Sequence, residues 1–121
     1  MALITIREAY GEAFERYVHH AQNNSRYYNE TLSLCHRLKD NGFVFIYVDD
    51  GEALIEANSP EEAAIIINNV DEARLYVKDR DGNQFGLFII LGNSPGELVA
   101  DYHVNPLLEI VMDEHENQWF K

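Results

Sequence analysis

Asp101 and His103 stand two residues apart, the spacing that turns both side chains to one face of a strand. His115, with Asp113 and Glu116 near it, would complete a mixed oxygen and nitrogen set of the kind that holds zinc or manganese. A metal held with one open position polarises a bound water, so Asp101, His103 and His115 define one reading of the chain, a small metal-dependent hydrolase. The spacing does not select that reading. Acids crowd this half of the chain, and His115 falls on the apolar stripe of its helix, where a hydrogen-bonded structural histidine is the ordinary case. The leading expectation is therefore no metal and no cofactor.

The remaining chemistry-bearing groups read more plainly. Cys35 and His36 are consecutive, and helix neighbours point about 100° apart, so they do not face each other. Cys35 shares its stripe with Tyr28, Leu32 and Leu38, which makes it a small inert hydrophobe. His19-His20 is likewise sequential and suits an exposed helix end. Asp79 to Asn83 looks like part of a calcium loop. With Gly82 at its sixth position, however, the first and twelfth positions are Val77 and Phe88, which are not ligands, and Asp81-Gly82 is a hairpin turn. Gly92 to Gly96 lacks the lysine and the spacing of a phosphate loop and is followed by Glu97 and Asp101, which would repel a dianion. Carboxylates are plentiful, but no pair stands out for glycoside chemistry.

Charge is the unusual property. Twenty-one acids against nine Lys and Arg give −12 over 121 residues. That opposes binding nucleic acid through a basic face, and it opposes docking on an anionic membrane. The excess is confined: residues 1–40 carry five acids and five bases, whereas residues 41–121 carry 16 acids and four bases. A compact domain of this length is roughly 35 Å across by the usual size scaling. Duplex DNA presents about 20 phosphates over that span. The excess acidity is more than half of that charge, enough for an electronegative face to imitate a nucleic-acid surface.

The elements that must position these residues follow from periodicity. Thr5 and Glu8 form a capping box before a helical stripe of Ile6, Ala9, Tyr10, Ala13, Phe14, Tyr17, Val18 and Ala21. Asn24 or Ser25 caps a second helix that ends at Gly42, so residues 1–41 read as an antiparallel helical hairpin. Residues 43–104 read as strands with one short inserted helix: Phe43–Val48, a turn at Asp49-Asp50-Gly51, Ala53–Ala57, a helix from Pro60, then Ala73–Val77, Phe85–Leu91 and Leu98–Val104. Leu98–Val104 reads as strand, with helix the alternative. Asn105-Pro106 opens a C-terminal helix, within 105–119, that buries Leu108, Val111, Met112, His115 and Trp119. The expectation is one α+β domain over 1–121, in the order ααββαβββα, with a mainly antiparallel sheet of four to five strands and helices packed against it. Two strands are apolar on both faces, so either helices cover both sides or a second copy of the chain does, which makes a structural or assembly subunit of a homodimer an alternative.

The start of the chain has no signal-peptide pattern, no run approaches the ~20 apolar residues of a spanning helix, and Cys35 is the sole cysteine. The expected setting is cytoplasmic. The function expected is that of a small non-catalytic interaction protein binding a basic protein partner through its acidic surface. It would be of the inhibitor, immunity or DNA-mimic type seen among the accessory proteins of phages and mobile elements. The contact residues expected are Asp49, Asp50, Glu52, Glu56, Asp71, Glu72 and Asp101.

Overall fold

Strict alternation in one strand organises the molecule. The structure, a computed structural model, describes residues 2–119. Along β4 (Glu72–Lys78), Ala73, Leu75 and Val77 are buried, while Glu72, Arg74 and Lys78 are exposed and Tyr76 half-buried. β5 (Gln84–Ile90) answers with Leu87 and Ile89 buried opposite Leu75 and Ala73. The Asp81-Gly82 turn joins the two strands: Asp79 Oδ1 accepts from the backbone N–H of Asp81 and Asn83, and Gly82 takes φ +85°, a region open to glycine. Slight desolvation pushes the Asp79 carboxyl up, but hydrogen bonds from the Asn83 backbone and side chain, and from Asp81 and Gly82, bring it below the usual carboxylate range.

The sheet is six-stranded, in the order β1-β3-β2-β4-β5-β6, with β1 Leu3–Ile4, β2 Val44–Asp49, β3 Leu54–Glu56 and β6 Val99–Tyr102. All neighbours run antiparallel except β1, which lies parallel to β3. This corrects the expected four to five strands. A two-residue strand is too short to show a period, and its parallel pairing is made across some fifty intervening residues. Residues 99–102 are strand, which decides the alternative left open for that segment.

The doubly apolar look of residues 43–48 has a local cause. The register of β2 against β4 slips between Phe45 and Tyr47, leaving Ile46 as a bulge. An inserted residue reverses the alternation beyond it, so Phe43 and Phe45 point inward before the bulge and Val48 after it.

The helical layer covers the inward face. α1 (Ile6–Tyr10) carries the expected capping box, Thr5 Oγ1 accepting from Glu8 N–H and Glu8 from Thr5 N–H. The expected continuous first helix is broken at Gly11, whose φ of +56° is incompatible with helix, and the chain resumes through a short 3-10 turn into α2 (Phe14–Asn24). The apolar stripe survives the break because Tyr10 still meets Phe14 and Tyr17, with ring centroids 5.9 and 4.5 Å apart. α3 (Tyr28–Asp40) starts after Tyr27 rather than at a cap on Asn24 or Ser25. Ser25 shapes the turn ahead of the helix instead, its Oγ accepting from Tyr27 N–H at 3.3 Å and donating to the Asn68 side-chain oxygen. α4 (Pro60–Ile67) is capped by Ser59 and buries Ala63, Ala64, Ile65, Ile66 and Ile67. Beyond Glu61 and Glu62 this helix is apolar all round, and such a stretch must be enclosed. It lies between the sheet on one side and, on the other, Ala21 of α2 and Tyr28 of α3. α5 (Pro106–Trp119) is capped by Asn105, whose side-chain oxygen accepts from Leu107 and Leu108 N–H, and it buries Leu108, Val111, Met112 and His115 as expected, with Trp119 half-buried. Among the described residues no helix is long and apolar enough to cross a membrane.

Leu87 is fully buried at the centre of this core. Its replacement by alanine removes three carbons and leaves a cavity, so Leu87→Ala should destabilise the fold by about 3 kcal/mol in a denaturant titration, without changing the denaturant dependence of the transition.

Candidate functional site

Among the described residues no helix packs on the opposite face of the sheet. The residues packed against the core from α1 and α3 to α5 all meet the inward side, and none of Leu54, Tyr47, Tyr76, Phe88 or Ile90 belongs to that cluster. Strand pairing sets the outward side chains in rows across the sheet. One row runs Leu54, Asp49, Arg74, Phe88, Asp101 from β3 to β6. The row beside it runs Glu56, Tyr47, Tyr76, Gly86, and His103 adjoins Gly86 through two hydrogen bonds. Glu72 pairs with Ile90 at one end and Lys78 with Gln84 at the other.

Aromatic side chains form the middle of this face. The rings of Tyr47 and Tyr76 lie 4.7 Å apart, Gln84 Nε2 donates to the Tyr47 hydroxyl, and the Arg74 guanidinium lies 5.0 Å from the Phe88 ring centroid. Gly86 is a constraint of the arrangement, since a Cβ there would come within 3.0 Å of the Tyr76 ring. Carboxylates surround the rings: Asp49, Glu56, Glu72 and Asp101, against the two cations Arg74 and Lys78. Asp49 and Asp101 each spend one oxygen on backbone, accepting from Gly51 N–H and Tyr102 N–H at 2.9 Å, which holds the other oxygen in a fixed direction. Two shallow hollows flank the Arg74–Phe88 contact. One, of about 260 Å³, is lined by Asp49, Glu72, Arg74 and Phe88; the other, of about 110 Å³, by Tyr76, Gly86, Asp101 and His103 as well as Arg74 and Phe88.

Of the seven acids expected to contact a partner, Asp49, Glu56, Glu72 and Asp101 share this face. Asp50 and Glu52 sit at its rim in the β2–β3 turn, where Asp50 Oδ1 accepts from Glu52 and Ala53 N–H at 2.8 Å and so shapes the turn. Asp71 lies apart, at the start of β4, lining a polar cleft with His20, Arg26 and Asn69. The aromatic rows were missed in the sequence because Tyr47, Tyr76 and Phe88 are far apart along it. The strict alternation of β4 was the available signal for Tyr76 and Arg74.

Comparisons of the chain with protein-family models, curated proteins and solved structures return no match.

The metal-binding set is divided by the sheet. Asp101 and His103 share the open face, and the His103 Nδ1 accepts from Gly86 N–H at 2.9 Å. His115 is fully buried on the helical side. Among the described residues no group of three or more His, Cys, Asp or Glu is placed to hold a metal ion. His115 instead pairs with Glu30 of α3: its Nε2 lies 2.8 Å from Glu30 Oε2, which also accepts from Gly96 N–H at 3.0 Å. This contact ties α3, α5 and the loop before β6 together. Beside it, Arg37 donates to Glu114 at 3.0 Å and to Gln118. Glu30 carried no signal in the sequence, since a lone glutamate in the first turn of a helix reads as exposed.

A second acidic row lies on α5, where Glu109, Asp113 and Glu116 are exposed. Partial burial, and then the charge of those three carboxylates, pushes the Tyr102 phenol up. Burial, and secondarily the charge of Glu61, pushes the Cys35 thiol up to about 12.

Two measurements follow. Cys35 in the folded protein should resist iodoacetamide near pH 8, where its thiolate is scarce, and react once the protein is unfolded in denaturant. His115→Ala should destabilise the protein by about 3 kcal/mol, because it leaves Glu30 buried without its partner. His103→Ala, at an exposed position, should cost less than about 1 kcal/mol. Equal losses in the two variants would contradict the division between a structural and a surface histidine.

Proposed function

We propose that the protein is a cytoplasmic, non-catalytic interaction protein that binds a basic protein partner through the open face of its sheet, in the manner of an inhibitor, an immunity protein or a DNA mimic. The observation that carries this reading is the uncovered face itself, with Tyr47, Tyr76 and Phe88 at its centre and Asp49, Glu56, Glu72 and Asp101 around them. Aromatic rings supply contact area at little entropic cost, and a charged rim steers the partner and selects its sign. Four carboxylates against two cations favour a basic partner. They also disfavour the same face of a second copy, since a two-fold axis through this surface brings acids toward acids.

The reading is tested by affinity capture on three immobilised forms: wild type, a face variant Asp49→Lys/Glu56→Lys/Asp101→Lys, and a control variant Glu109→Lys/Asp113→Lys/Glu116→Lys on α5. A discrete basic protein should be held by wild type and by the α5 variant, be released by salt, and be lost from the face variant. Equal retention by all three forms, or a bare column under folded wild-type bait, would contradict it. Association measured with the captured partner should slow as ionic strength rises, with Asp49→Lys and Asp101→Lys each slowing it further.

A further inference from the structure

The open face already holds a cation of its own. Arg74 extends over the Phe88 ring, its guanidinium carbon 5.0 Å from the centroid, and no carboxylate among the described residues lies within ion-pair distance of it. It forms the ridge between the two hollows, one bearing Asp49 and Glu72 and the other Asp101 and His103. We propose that Arg74 is a placeholder for an arginine of the partner, and that the site takes an arginine-bearing segment whose guanidinium displaces Arg74 from the Phe88 ring. This rests on the reading of the open face as the binding surface.

The chemistry favours arginine over lysine. A planar guanidinium stacks on an aromatic ring and, in the same pose, directs its edge N–H groups at carboxylates, whereas an ammonium is a strongly hydrated point charge. Arg74 reaches the ring without reaching an acid. A guanidinium arriving from solvent is not tethered to β4 and is free to meet both the ring and the unspent oxygen of Asp101, which is the direct cross-strand neighbour of Phe88. The spacing of the acids sets a second condition. Asp49 and Asp101 are three strand intervals apart, about 14 Å at the usual strand separation. In an extended segment, side chains four residues apart are separated by about the same distance. A segment crossing the strands with arginines at that interval would place one cation in each hollow.

The test uses a short unstructured peptide with two arginines four residues apart, and its lysine counterpart, titrated at low ionic strength into the isotope-labelled full chain and followed by amide chemical shifts. Arg74→Ala should bind the arginine peptide at least about threefold more tightly than wild type, with shifts confined to β2, β4, β5 and β6. Lys78→Ala, which removes a cation from the same face without uncovering a ring, should gain clearly less. The advantage of Arg74→Ala should disappear in Arg74→Ala/Phe88→Ala and be smaller for the lysine peptide. Equal gains in Arg74→Ala and Lys78→Ala, or equal gains for the two peptides, would reduce Arg74 to one charge among others and overturn the placeholder while leaving the acidic face in place. Shifts lying off the face in every form, or no binding even by Arg74→Ala, would overturn the placeholder, and in the first case the open-face reading with it.

Discussion

The alternation of β4 between Ala73, Leu75 and Val77 on one side and Glu72, Arg74, Tyr76 and Lys78 on the other separates a sealed half of the molecule from an open one. β4 is an interior strand, paired on both edges by β2 and β5, so its two-residue period is imposed on its neighbours through the ladder. Where a neighbour disagrees, the backbone yields: β2 inserts Ile46, and the β5–β6 register slips between Phe88 and Ile89. Each bulge brings the apolar residues beyond it back to the core side and leaves polar and aromatic residues on the other. The open face is a consequence of how the core was closed.

The sealed half is held by more than apolar contact. α4 is buried at every position from Ala63 to Ile67, and its end is anchored by Asn68, which donates to Thr31 and to the Ala64 carbonyl and accepts from Ser25. Glu30 and His115 do the equivalent work between α3 and α5 while gripping the backbone at Gly96. Buried polar groups of this kind are costly unless paired, and the pairs made here favour one arrangement of the helices over others of similar apolar burial, although His115 Nδ1 is left without a partner. They spend a histidine and a glutamate that would otherwise look available for chemistry, and they tie the loop leading into β6, the strand that carries Asp101.

Acidity alone is a property of many soluble surfaces and speaks first to solubility. Here the carboxylates gain directional character from what lies between them and beneath them. Asp49 and Asp101 are oriented by their own backbone bonds, Tyr47 and Tyr76 lean on each other across two strands, and Gly86 leaves room for the Tyr76 ring. The acidic row on α5 adjoins the single phenol of Tyr102 rather than a set of packed rings, and it is on this difference that the sheet face is proposed as the binding surface.

Local pattern determined much of this protein. Capping chemistry at Thr5 and Asn105, the turn at Asp81-Gly82, and the alternation of residues 73–77 were all legible because each depends on residues within a few positions of one another. The confinement of excess charge to residues 41–121 was legible for the same reason. Tertiary structure alone decided the rest. The parallel strand at Leu3–Ile4 exists only because distant β3 offers it an edge, and the break at Gly11 competes with an unbroken helical stripe that reads equally well in sequence. The separation of His115 from Asp101 and His103, the burial of Glu30, and the assembly of Tyr47, Tyr76, Arg74 and Phe88 into adjoining rows each depend on register between strands or on contact between helices distant in the chain. Such pairings are selected by the closing of a shared core, which no local period records.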